Sequence, residues 1–210
     1  MRILQRTLNR FQFQGSNSSL ERGRETSMEK RFYIIRHCKA TGQEKDAALT
    51  AEGEQQALEL AHFFADKPVD RIVSSPYVRT LKTIEPLANR LGISIEQEER
   101  FGERVLFGDG EFPEDWLEKF ARTFEDFNLS YEGGESNNEA TERAKSAIDE
   151  LIQAPEKNII IVSHGNLTVL MLKLFDERYG FTEWKRLTNP DVFEIVIQGE
   201  DAQINRIWMK

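Results

Sequence analysis

The sequence predicts an α/β protein, a three-layer α/β/α sandwich around a mostly parallel central sheet. Three observations predict it. Short β-branched runs recur between stretches with helical apolar spacing, the pattern of parallel strands joined by crossover helices. Two of those runs, Phe32-Tyr33-Ile34-Ile35 and Ile159-Ile160-Ile161-Val162, lack the apolar/polar alternation of a half-exposed strand and suit strands covered on both faces. Near the C terminus two alternating segments flank a glycine-containing turn, which adds an antiparallel pair at one edge.

The elements follow in order. After the strand at Phe32–Ile35, Thr50 to Asp66 reads as a helix with Thr50 as N-cap and Ala57, Leu58, Leu60, Ala61 and Phe64 on its apolar face. Asp70 to Ser74 is a second strand. Ser75 then caps a helix with Pro76 at its first position, running to about Arg90 and stopped by Gly92. Ile93-Ser94-Ile95 is a third strand. Pro113 to Phe127 is a helix whose Trp116, Phe120 and Phe124 form an aromatic stripe for the core rather than for a ligand. Glu135 to Ala154 is another helix, closed by Pro155. The fourth strand runs to Ser163, and a helix spans Asn166 to Phe175. Val192–Ile197 and Ile204–Trp208 are the last strands, with Gln198-Gly199-Glu200-Asp201 as the hairpin turn. Residues 28–210 read as one domain without internal repeats or linkers.

Composition narrows the function classes. The chain has 210 residues, enough for one domain with a full core. Its formal net charge of −8 argues against nucleic acid or an anionic membrane as partner, while leaving room for a local basic pocket. The single cysteine, Cys38, excludes an internal disulfide and points to a reducing, cytoplasmic setting. No apolar stretch approaches the ~20 residues of a membrane span. Residues 1–27 carry five arginines and a Gln14–Ser19 polar segment but no apolar signal core. They read as a disordered or spurious N-terminal extension, with Met28-Glu29-Lys30 a natural start.

Two of the three histidines, His37 and His164, sit where an apolar run gives way to a loop. Open α/β sheets bind ligands at such strand ends. Arg36 precedes His37, Arg79 lies one turn into the helix after the second strand, and His164 precedes a helix N-terminus that favours anions. Two guanidiniums and two imidazoles thus converge. Neither a Walker-type glycine loop nor an aspartate cluster for Mg²⁺ is visible, so the sequence offers a positive pocket with an imidazole nucleophile and no metal or cofactor. Phosphoryl transfer needs mainly positioning and charge stabilisation, which such a pocket supplies. His62, the third histidine, reads as a surface or partly packed helix residue.

In five ordered motifs the chain resembles the histidine phosphatase superfamily, the phosphoglycerate-mutase-like branch 1. The family's Arg-His-Gly appears as Arg36-His37-Cys38, and its Leu-Thr-x-x-Gly-x-x-Gln-Ala as Leu49 to Ala57. Its Ser-Ser-Pro-x-x-Arg-x-x-x-Thr appears as Ser74 to Thr83, its Gly-Glu-Ser as Gly134-Glu135-Ser136, and its Val-Ser-His-Gly as Val162 to Gly165. The match spans residues 31–209. The resemblance implies a phosphoglycerate-mutase-like fold and a cofactor-independent phosphatase for a small phosphorylated metabolite. It makes His37 the nucleophile, with Arg36, Arg79 and His164 holding the phosphoryl oxygens. It places the proton donor in the loop after the third strand, where Glu103 fits best and Glu98, Glu99 and Glu111 are rivals. Near the substrate it implies Cys38, Thr41, Gln43, Gly165 and Asn166. Cys38 stands in place of the usual glycine, as a small filler rather than a redox brake. Ala40 stands where many members have Thr, with Thr41 as its substitute, and Gln43 stands for an Asn. A phosphoglycerate-mutase activity or a catalytically weak phosphate-binding regulator are the alternatives. The resemblance gives no physiological substrate, and nothing in the sequence gives the oligomeric state.

Overall fold

The computed structural model describes residues 29–108 and 112–208; the 1–27 extension and Glu111 lie outside them. Strand β1 (Lys30–Arg36) is followed by helix α1 (Ala51–Phe63), β2 (Arg71–Ser74), α2 (Val78–Leu91) and β3 (Ile95–Gln97). A short 3₁₀ turn (Glu99–Phe101) leads to α3 (Trp116–Glu125), α4 (Asn137–Gln153), β4 (Asn158–Ser163), α5 (Gly165–Lys173) and α6 (Phe181–Trp184). The chain ends in β5 (Asp191–Gln198) and β6 (Asp201–Arg206). The six strands lie in the order β3-β2-β4-β1-β5-β6. The first four are mutually parallel, and β5 and β6 add antiparallel pairs at one edge, as the sequence predicts.

Alternation along the strands divides the core in two. Phe32, Ile34, Ile159 and Ile161 face α4 and α5, where Ala140, Ala144, Ile148 and Leu170 cover them. Tyr33, Ile35, Ile160 and Val162 face α1 and α2, packing against Leu60, Phe64, Ile84 and Leu87. These strands are buried on both faces, so their sequence reads as continuous apolar runs. Among the described residues no helix is long and apolar enough to cross a membrane.

Local chemistry fixes the helix starts. Thr50 caps α1, its hydroxyl accepting from Gly53 N at 3.0 Å. Ser136 and Glu139 form a reciprocal capping box at α4, an arrangement worth about 1 kcal/mol at the cap residue.

Several expected boundaries move. Helix α2 begins at Val78 rather than at Pro76, and Tyr77 rather than Ser75 is its N-cap. The third strand is Ile95–Gln97, not Ile93–Ile95, because pairing with β2 aligns Ile72 with Ile95 and Ser74 with Gln97. The last strand is Asp201–Arg206, not Ile204–Trp208: its register runs straight out of the turn, with Gln198 opposite Asp201. Leu58, expected on the apolar face of α1, is 50% exposed. His62 is exposed, as read. Of the aromatic stripe, Phe120 is buried, while Trp116 and Phe124 are only partly so.

Candidate active site

Register builds the site. Parallel pairing of β1 with β4 sets Arg36 opposite Ser163, and His37 N donates to Ser163 O at 3.0 Å. The next residue on each strand is a histidine, so His37 and His164 meet with ring centroids 5.3 Å apart. Pairing of β2 with β4 sets Ser74 opposite Val162 and brings Ser75 beside them. The carboxyl ends of three adjacent parallel strands therefore form one ledge, where α/β sheets hold ligands.

The tautomer of His37 follows from its partner. Nδ1 lies 2.6 Å from Cys38 O, and a carbonyl can only accept, so Nδ1 carries the proton. Nε2 is left with its lone pair, and Arg79 Nε donates to it at 3.3 Å. Burial pushes the His37 pKa down to about 3, with smaller help from the positive charges of Arg79 and Arg36. The ring is thus neutral throughout the physiological range. Burial also holds His164 well below the usual histidine range. Its Nε2 lies 2.8 Å from Ser75 Oγ, and the Tyr77 ring sits 4.7 Å away.

Arg79 is 1% exposed and crosses under the 40–49 loop, where Nη1 donates to Gln43 O at 3.0 Å and Glu44 O at 2.7 Å. Its cation also stacks 4.8 Å over the Tyr77 ring. Arg36 donates to Thr188 O at 3.3 Å. Gly165 lies close to Arg36: a Cβ there would stand 3.3 Å from the guanidinium, so the residue after His164 must be small for Arg36 to keep its place. Burial lowers the pKa of both arginines, and the negative charge of Glu103 partly offsets it. Among the described residues, three buried atoms here find no hydrogen-bond partner: Arg36 Nε, His164 Nδ1 and Asn166 Oδ1. Unpaired buried polar atoms are costly, and a ligand or water is their natural complement.

Glu103 is fixed at the start of α5. Its Oε2 accepts from Asn166 N, and its Oε1 from Leu167 N, both at 3.1 Å, while Arg104 N adds a third bond at 2.9 Å. The rival Glu98 is bound through both oxygens to Arg100, and Glu99 is exposed.

Thr41 and Gln43 enter differently from the other expected residues. The Thr41 hydroxyl donates to Ala48 O across its own loop at 3.1 Å. Gln43 meets the group through its backbone carbonyl rather than its side chain. Cys38 is fully buried in a small cluster with Leu49 and Ala57, and burial pushes its thiol up to about 12. Its backbone serves the site, N donating to Thr83 Oγ1 at 2.8 Å and O accepting from His37. A thiol so protonated is unreactive. Mild peroxide should therefore leave turnover unchanged and Cys38→Gly should cost little, as activity assays on both proteins would show. Reversible peroxide inactivation that disappears in the glycine variant would refute this.

Several neighbours were not legible as site residues. Asn189 Nδ2 donates to His37 O at 2.7 Å. Asp191, fully buried, takes Arg206 through both oxygens and Thr188 N at 3.0 Å, fixing the loop whose Thr188 carbonyl receives Arg36. Nothing local in the 188–191 segment marks it, because it acts only once β5 lies against β1. Ser75 did carry a signal, the Ser-Ser-Pro motif, yet its partnership with His164 spans 89 positions.

A family model described as the histidine phosphatase superfamily (branch 1) matches residues 32–209. "Putative phosphoserine phosphatase 2" of Hydrogenobacter thermophilus is 28% identical over 192 residues, covering 83% of this chain and 93% of that protein. "Probable phosphoglycerate mutase GpmB" of Erwinia tasmaniensis is 28% identical over 149 residues, covering 63% of this chain and 68% of that protein. Among solved structures, a mycobacterial glucosyl-3-phosphoglycerate phosphatase superimposes with a TM-score of 0.69 at 22% identity, covering 85% of this chain and 98% of that one. A phosphoglycerate mutase from Bacillus anthracis gives 0.66 at 18% identity, covering 87% and 94%. At these identities the structural matches speak for the fold.

Proposed function

The chain belongs to the histidine phosphatase superfamily, branch 1, and from that premise we propose that it hydrolyses a small phosphate monoester through a phosphohistidine on His37. One observation carries the reading. His37 presents an unprotonated Nε2, fixed by its Nδ1 bond to Cys38 O, beside the buried guanidinium of Arg79. A neutral, oriented imidazole next to fixed positive charge is what attack on a phosphate ester needs.

In the first step Nε2 attacks phosphorus, and the bond from phosphorus to the ester oxygen breaks. Glu103 takes up a proton from the monoanionic ester as it binds and gives it to the departing oxygen. Arg36 and Arg79 take the phosphoryl oxygens. With Ser75 Oγ–H donating to His164 Nε2, His164 Nδ1 carries a proton to offer a third contact. In the second step water attacks phosphorus, Glu103 takes a proton from it, the phosphorus–nitrogen bond breaks and inorganic phosphate leaves. The guanidiniums supply the countercharge, so the reaction needs no divalent cation. The acidic overall charge argues against nucleic acid as the substrate, the local pair Arg36 and Arg79 suits a small phosphorylated metabolite, and the lone cysteine suits a reducing cytoplasm.

The mutase reading has support in the name of one similar protein, the probable phosphoglycerate mutase of Erwinia tasmaniensis. A mutase must shield its phosphoenzyme from water while a substrate reorients. The described part of residues 104–163 consists of α3, α4, β4 and the turns around them, which leaves little chain for a lid and favours hydrolysis. The purified protein, assayed in EDTA on phosphoserine, 3-phosphoglycerate and an aryl phosphate, should release inorganic phosphate, and vanadate should inhibit it. Interconversion of 2- and 3-phosphoglycerate with a bisphosphoglycerate primer, faster than phosphate release, would move the protein to the mutase class.

A further inference from the structure

The Gly134-Glu135-Ser136 motif has no part in the chemistry above, yet Glu135 lies at the centre of the contacts that hold the Glu103 segment. Its carboxylate takes Arg143 of α4 through both oxygens, at 2.6 and 2.8 Å. The pair is sheltered, with 23% of the Arg143 side chain and 26% of the Glu135 side chain exposed. The remaining arm of Arg143, Nη1, donates to Arg100 O at 2.7 Å and Gly102 O at 3.0 Å, the carbonyls just before Glu103. On the other side, Glu135 O accepts from Arg104 Nε at 2.8 Å, and Glu135 N donates to Val105 O at 2.7 Å. Both chain directions leaving Glu103 are therefore tied to one residue.

Gly134 makes this closure possible. A Cβ at that position would fall 2.4 Å from Leu106 O and 3.1 Å from Val105 O, so only glycine lets the two loops approach this closely. The Glu103 carboxylate itself is held by three backbone N–H groups, two of them from the first turn of α5. Those groups set where the oxygens rest, but the reach to them depends on where the Glu103 backbone stands. A guanidinium suits the clamp because its planar fork can grip a carboxylate with two arms and two carbonyls with the third. Lysine offers no such span.

We propose that Glu135 and Arg143 are positioning residues that hold Glu103 within proton-transfer distance of the ester oxygen. The inference rests on the reading of Glu103 as proton donor. Proton donation matters in proportion to how poor the leaving group is. An alkoxide needs the proton, whereas a dinitrophenolate departs without it. A misplaced donor therefore has a signature that a generally loosened fold lacks, since loosening would also displace His37 and the arginines and slow every ester alike.

The test compares kcat/KM for glycerol phosphate and for dinitrophenyl phosphate in the wild type, Arg143→Met, Glu135→Gln and Glu103→Gln. Arg143→Met and Glu135→Gln should lose on the order of 10²-fold on glycerol phosphate and less than about threefold on dinitrophenyl phosphate, because a small misplacement removes most of a general acid's effect. Glu103→Gln should show the same selectivity with a deeper loss on glycerol phosphate. Selectivity in Glu103→Gln but equal losses, or none, in the two clamp variants would overturn the positioning role alone. Equal losses on both esters in Glu103→Gln would overturn the proton-donor reading, and the positioning role with it.

Discussion

His37→Ala should lower kcat by on the order of 10³-fold or more, since the substitution removes the atom that accepts the phosphoryl group and with it the covalent route. What remains is a positively charged pocket that can still bind a phosphate ester, so KM should change much less than kcat. The variant should stay folded. The apolar faces of β1 are made by Phe32 to Ile35, and His37 lies beyond the strand, contributing the bond to Cys38 O and the contact with Arg79. Quenching the wild type with radiolabelled substrate should trap an acid-labile phosphoprotein, and the variant should give none. Retention of most of the turnover by His37→Ala would remove His37 from the nucleophile's role.

The sequence carries the parallel core because each central strand is covered twice and leaves an unbroken apolar run. Once those runs are paired, the positions of Arg36, His37 and His164 follow, since each lies within two residues of the end of a run. Where the reading slipped, tertiary contacts had taken over a local signal. Ser75 has the side chain of a helix cap and is followed by a proline, but its hydroxyl serves His164 and its carbonyl receives the Thr80 hydroxyl. The helix therefore starts later, at Val78. In β3 the apolar pair Ile93 and Ile95 suggested a strand two residues too early, because an edge strand is set by its partner's register, and the polar Glu96 and Gln97 carry little β signal. Asn189, Thr188 and Asp191 are invisible for a different reason. They support Arg36 and His37 from far along the chain, through bonds to backbone groups that no residue pattern advertises. Residues that touch the reaction were thus easier to read than those that hold them.

Arg79→Lys should prove nearly as damaging as loss of the whole side chain, with kcat/KM falling by on the order of 10²-fold or more, the usual cost of one preorganised donor at a developing anion. The charge survives, so a purely electrostatic role would predict a mild effect. The geometry argues otherwise. Nη1 is committed to Gln43 O and Glu44 O, which keeps the 40–49 loop against the site, while Nε faces the lone pair of His37 Nε2. One planar group thereby fixes a loop and meets the nucleophile, and among the described residues Nη2 is not committed to the loop carbonyls that take Nη1. An ammonium on a flexible stem is a point charge that can satisfy the loop carbonyls or the phosphate, not both. Steady-state kinetics on an aryl phosphate, with vanadate inhibition as a second readout, would check this. Both should weaken in Arg79→Lys, because vanadate uses the same oxygen contacts as the reacting phosphoryl group. A lysine variant within about threefold of wild type would mean that charge alone suffices, and that the loop bonds of Arg79 are incidental to catalysis.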